Sequence, residues 1–276
     1  MTPGTSTTPA TVPAVPVLGS AGPARVFLAV LWRDIFVTGR ELGVFLAQVV
    51  LQPLFLLFVF GKVLTELGYA RADYAELLFP GIVALTATLT GLQSTALPLV
   101  IDFSFTKEIE DRLLAPMSTA LVAAEKVLFA AIRALIAAAV MFPIGVWILG
   151  SVPWRADAPP LAVAVLVLGS LVGAAIGLTL GTLVPANRIN IMFAVILTPL
   201  LFTGCSQYPW PSLAHLRWFQ VVTALNPLTY VSEGLRAAMV PSVPHIRPVI
   251  CLLALLVSLA VFGTVGIRGF LRRAID

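Results

Sequence analysis

The sequence predicts an all-α integral membrane protein. It reads as six transmembrane helices with an interfacial helix before the first, a charged amphipathic helix between the second and third, and short re-entrant helices before the last. Three observations predict this. Of 276 residues, 59% are hydrophobic and only 11% charged, whereas a soluble domain carries about 25% charged residues. Mean hydropathy is +1.01. The apolar residues also gather in runs near the roughly 20 that a bilayer core requires. A chain so composed cannot cover its apolar surface with its own polar groups, so lipid must cover it.

Residues 1–23 are rich in Thr, Pro, Ala and Gly and hold no Lys or Arg. Lacking a basic n-region, with prolines interrupting each apolar stretch, they read as a disordered tail and not as a signal peptide. From residue 24 onward the chain reads as one membrane domain. In ARVFLAVLWRDIFVTGRE, Arg25, Arg33 and Arg40 share one arc of a helix, while Val26, Phe27, Val30, Leu31 and Ile35 occupy much of the rest. A basic helix of that pattern lies along lipid headgroups.

The first span, Gly43 to Gly61, is broken by Gln48, Gln52 and Pro53, which turn one side toward protein or a cavity. The second, about Leu77 to Ile101, holds Thr86, Thr88, Thr90, Gln93, Ser94 and Pro98, as suits a packed or pathway-lining helix. A third runs from about Leu121 to Leu149, and a fourth from about Leu161 to Val184. The fifth is IMFAVILTPLLFTG and the last runs from Val249 to Ile267. The fourth carries Gly169, Gly173, Gly177 and Gly181 at four-residue spacing, a face for close helix packing, within one subunit or between two. Arg133, inside the third, reads as an intramembrane charge with two competing roles: a functional site, or a side chain snorkelling to the headgroups. Cys205 and Cys251 fall in or beside spans and read as small buried hydrophobes, although both lie toward one side and a bridge stays open.

The segment from Cys205 to Pro248 is long and carries no span. Within it Asn226 is a good N-cap and Pro227 a good first helical residue. Leu228, Val231, Leu235 and Met239 make an apolar face, and Glu233 is spaced to pair with Arg236. With QYPWPSLAHLRWFQVV this suggests two short helices dipping into the outer leaflet, belted by Tyr208, Trp210, Trp218 and Tyr230. A plain extracellular loop is the alternative.

Six spans put both termini on one side. Arg25, Arg33, Arg40, Lys107, Arg112, Lys126, Arg188, Arg268, Arg272 and Arg273 gather there, which places the termini in the cytoplasm at the inner (plasma) membrane. The net charge of +4 includes no contiguous basic patch, so nucleic acid is not an expected partner. The densest charge is KEIEDR, 107–112. As a helix it pairs Glu108 with Arg112 and Lys107 with Asp111, and it lines up Phe105, Ile109 and Leu113, with Pro116 closing it. A solvated connector would need only a few polar residues. An amphipathic helix bearing both signs, with Glu110 among them, suits a docking soluble protein better.

The run FTKEIEDRLLAPMSTALVAAEKVLFA resembles the first cytoplasmic connection of ABC transporter type-2 permeases, in the branch of nodulation-factor exporters and daunorubicin-type resistance permeases. Asp111, Arg112, Leu113, Leu114, Ala115, Pro116 and Ser118 match its "DRLLAP-S" pattern, and Glu125 and Lys126 its "EK" pair. LNPLTYVSEGLR, 225–236, resembles its "NP-TY" segment and so includes Asn226, Pro227 and Tyr230. The resemblance implies two permease copies, or a copy and a paralogue, above two separate ATPase subunits that bind ATP and Mg. It further implies that Phe105, Lys107, Glu108, Ile109, Glu110, Asp111 and Arg112 belong to the coupling helix seated in an ATPase cleft.

The residues support that division of labour independently. A Walker A loop needs G-x-x-x-x-G-K-[ST], and the one Gly–Lys pair here, Gly61–Lys62, is followed by Val63. The chain is therefore expected to be no enzyme and to bind no cofactor. An ion-coupled secondary transporter would carry carboxylates or histidines within its spans, and every Asp and Glu reads as a span end or a loop. A membrane enzyme would need a motif such as H-E-x-x-H or G-x-S-x-G, neither of which occurs. The cargo expected from a pathway of Thr, Ser, Gln and aromatic residues is amphipathic, a drug or lipid-like molecule, with a lipid-linked saccharide as the alternative.

Overall fold

The structure is a computed structural model that describes residues 22–71, 73–103, 118–155, 157–185 and 188–273. The predicted tail lies outside these residues except for Gly22 and Pro23. Every regular element described is helical: α1 Pro23–Arg40, α2 Leu42–Glu66, α3 Tyr74–Ile101, α4 Thr119–Leu149, α5 Ala158–Leu183, α6 Ile189–Thr203, α7 Arg217–Ala224, α8 Pro227–Met239 and α9 Pro248–Arg273. A 3₁₀ turn, Trp210–His215, precedes α7. The all-α membrane architecture is the one the sequence predicts.

Five helices, α2, α3, α4, α5 and α9, are long and apolar enough to cross a membrane. The fifth predicted span differs. Helix α6 has 15 residues, about 22 Å at ~1.5 Å per residue, which is short of the roughly 30 Å hydrocarbon core. Gly204 and Cys205 stop it, the latter in the left-handed region at φ 50°. The chain beyond folds back into the bundle: a Cβ on Gly81 would lie 1.8 Å from the Ser206 carbonyl oxygen. Gly81 is about two turns inside α3, so the returning chain occupies depth that α6 leaves unfilled.

Helix α3 is the centre. Phe79, Ile82, Leu85 and Leu92 are fully buried between α4, α5 and α8. Two of its hydroxyls bond within the helix: Thr86 Oγ1 donates to the Ile82 carbonyl at 2.8 Å and Thr95 Oγ1 to Gly91 at 3.0 Å, whereas Thr88 Oγ1 is buried with no partner among the described residues. The α5 glycines set the closest approach. A Cβ on Gly173 would lie 2.3 Å from the Thr88 oxygen, and one on Gly177 would lie 2.4 Å from the Leu92 oxygen. Gly181 faces Ala96 and Leu99 of the same helix, and Gly169 faces Val231 of α8.

Peripheral helices keep apolar faces outward. Helix α9 exposes Val249, Leu253, Val257 and Val261, and α2 exposes Val44, Leu51 and Phe55, as lipid contact requires. In α2, Pro53 lacks the N–H that would continue the ladder, and the backbone relaxes into π-type bonding over Leu57–Val63. At the end holding both described termini, Arg273 Nη1 donates to the Gly181, Thr182 and Val184 carbonyls at 3.0–3.3 Å. A cation there caps the negative end of α5. Cys205 and Cys251 are free thiols, both fully buried.

Candidate functional site

Three features concentrate polar chemistry in this apolar bundle. The first is built on α8. Asn226 caps the helix: its Oδ1 accepts from Leu228 N–H, and its Nδ2 donates to the Leu200 carbonyl and Thr203 Oγ1, each at 2.9 Å. Pro227 follows as the first helical residue. Tyr230 O–H donates to the Ala224 carbonyl at 2.7 Å and Ser232 Oγ to Gly204 at 3.0 Å. The sequence predicts an apolar face here, and the structure buries every α8 residue but Tyr230.

At the centre of that helix Arg236 Nη1 donates to Glu233 Oε1, with both side chains wholly out of solvent. The spare capacity of each is taken up by backbone. Glu233 Oε1 also accepts from Trp210 N–H at 2.9 Å and Oε2 from Ile246 N–H at 3.0 Å. Arg236 Nη2 donates to the Cys205 carbonyl at 3.1 Å and Nε to Leu77 at 3.4 Å. One ion pair thus ties α3, the chain after α6, the 3₁₀ turn and the entry to α9. Sequence spacing suggested the pairing, and the tertiary fold supplies the four backbone partners.

The second feature is a groove of about 770 Å³ between α2, α3 and α6. Gln48, Gln52, Gln93, Thr198 and Gln207 set amides and a hydroxyl along it, among Phe55, Leu197 and Phe202. From Gln48 to Phe60 it follows α2 for about 18 Å at ~1.5 Å per residue. It holds neutral donors and acceptors on an apolar wall, a surface that an amphipathic molecule would fit. The glutamines of α2 thus face a cavity, while Thr86, Thr88 and Thr95 of α3 are buried within the packing.

The third is a vestibule at the termini end, about 590 Å³, walled by α1, α3 and α4. Lys126 Nζ meets Asp102 Oδ2 there at 3.1 Å, and Arg133 stacks over the Phe45 ring at 4.1 Å. Two readings of the sequence need correction here. Arg133 is not the one charge inside the bundle, because Glu125, Glu233 and Arg236 are fully buried. Nor do all carboxylates lie at span ends or in loops: Glu125 is about two turns into α4 and Glu233 is enclosed by the bundle. Absence of buried carboxylates therefore does not argue against ion coupling. The family evidence decides instead.

The model of the ABC-2 type transporter family matches residues 25–240. The chain belongs to that family. It is also 26% identical over 223 residues to "Putative transport permease ycf38" of Cyanophora paradoxa, covering 76% of this chain and 72% of the relative. This ABC-2 family member is thus a multi-pass transport permease, the membrane component of an ABC transporter system and not its ATPase. The predicted coupling residues, Phe105 and Lys107 through Arg112, lie outside the described residues. Their flanks are described, with α3 ending at Ile101 and α4 starting at Thr119. The glutamine-lined groove was legible only in part, since Gln207 and Thr198 come from segments whose approach to α2 no local pattern encodes.

Proposed function

We propose that this permease is the membrane subunit of an ATP-driven exporter that carries an amphipathic drug or lipid-like molecule out of the cytoplasm. The groove between α2, α3 and α6 is the observation that carries the reading. Its glutamines and threonine bond polar groups without demanding a charge, and its apolar wall accepts rings and chains. The exposed faces beside it, Leu51 and Phe55 on α2 and Val195 and Phe202 on α6, are apolar. A second copy or a paralogue seated on them would close the groove into a conduit.

Force would enter through the stretch 104–117, which joins α3, the central helix, directly to α4. A cytoplasmic ATPase gripping the Lys107–Arg112 charges would move both helices at once. The excess of arginine and lysine at that end supports an orientation with both ends of the bundle's chain toward the cytoplasm. The test is charge reversal of Glu108, Glu110 and Asp111 together, in a complex reconstituted with its ATPase. Loss of cargo-stimulated ATP hydrolysis and of transport, with assembly retained, is expected. Unchanged transport in an assembled complex would sink the coupling role.

A further inference from the structure

We propose that the vestibule between α1, α3 and α4 binds the phosphate of an anionic lipid headgroup, with Arg133 as the anchoring cation. Among the described residues that line it, three cations stand against two carboxylates. Arg33 pairs with Asp34 at 2.9 Å and Lys126 with Asp102 at 3.1 Å. Arg133 is the third cation on the wall, and it pairs with no carboxylate among the described residues. It is held by ring stacking, 4.1 Å from the Phe45 centroid and 5.7 Å from Phe129. Its Nε–H, enclosed and out of solvent, meets no acceptor among the described residues. Stacking engages the face of the guanidinium and, with Nε enclosed, leaves the Nη1 and Nη2 donors, a fork that can take two phosphate oxygens together.

Depth decides which phosphate. Counted along α4, Arg133 is 14 residues past Thr119, but Lys126, seven residues before Arg133, already meets Asp102 just past the end of α3. Its stacking partner Phe45 is the fourth residue of α2, so Arg133 lies level with the point where the first span begins. Helix α1 forms one wall and exposes Leu28, Trp32 and Phe36, as a helix resting in lipid does. Headgroup phosphates lie at that level, and Val37, Pro98 and Phe129 give the adjoining apolar wall. With both wall carboxylates already facing cations, a lipid amine gains little there, so a net anionic headgroup is favoured over a zwitterionic one.

This site is separate from the groove and does not depend on the direction of transport. The test is native mass spectrometry of the purified full-length permease titrated with phosphatidylglycerol, phosphatidylcholine or inorganic phosphate. Phosphatidylglycerol is expected to be retained several-fold better than phosphatidylcholine. Arg133→Gln is expected to reduce its binding by about tenfold or more, the charge-assisted fork being lost, and Arg155→Gln at the opposite end is expected to leave it unchanged. Should Arg133→Gln fail to fold, Arg133→Lys, which keeps the charge but loses the planar fork, is expected to bind less tightly than wild type. Equal retention of the two lipids by wild type, or wild-type binding in the folded Arg133 variant, would overturn the proposal. Displacement of lipid by millimolar phosphate would assign the site to a soluble anion and overturn the lipid source.

Discussion

Glu233 and Arg236 stand one turn apart on α8 and pair where no solvent reaches, each also bonded to backbone of segments far away in sequence. Such a pair adds little net stability over apolar residues of the same shape, but losing one member strands the other charge. Glu233→Leu or Arg236→Met alone should each cost about 3–5 kcal/mol. The double variant should lose less than the sum of the two. Thermal unfolding in detergent measures all three, and strictly additive losses would show that the two residues act independently.

The approach of α5 to α3 makes a second prediction. Gly173→Ala drives a methyl toward the Thr88 carbonyl oxygen, and a backbone atom cannot swing aside as a side chain can. A loss of about 1–3 kcal/mol is expected, typical of overpacking. Gly263→Ala is the control: nothing lies within 4 Å of a Cβ there, and alanine should be neutral or slightly stabilising in a helix. Equal melting temperatures for the two variants would contradict the packing described.

The groove predicts a separation between transport and stability. Gln52→Leu and Gln93→Leu each remove an amide that lines it, at a net value of about 0.5–1.5 kcal/mol per hydrogen bond. Apparent KM for an amphipathic cargo in proteoliposomes should rise roughly 2- to 10-fold, with the melting temperature unchanged. A variant that transports normally would remove that glutamine from the pathway.

Cys205 predicts a native reactivity that stays low from pH 7 to pH 9. It sits in the loop after α6, fully buried, and burial pushes its thiol up to about 11. The neutral form is thus favoured in the folded state, and the nucleophilic thiolate stays scarce through pH 9. Maleimide labelling of the native protein should be slow at pH 7 and at pH 9, and should become rapid after denaturation. Fast native labelling at pH 7 would mean that this loop opens.

Legibility followed the range of the interactions. The α8 start was readable because an Asn–Pro cap is a local device, and the Asn226 side chain does accept from Leu228 N–H. The α5 glycines were readable as a packing face because their spacing equals about one helical turn, but not that α3 would meet three of them and Val231 of α8 the fourth. Glu125 was misjudged because a charge near a helix start looks solvated until neighbouring helices cover it. Helix α6 was read as a full span because its apolar run continues up to Gly204; only the returning backbone at Ser206 shows where the helix stops.

By itself, then, the sequence determined the solvent, the helical class and the family, since composition and short motifs need no third dimension. Tertiary structure decided which charges are buried, which amides share one cavity and how deep each helix reaches. Those are set by contacts between segments more than a hundred residues apart, such as Arg236 with Leu77, and no local periodicity carries that information.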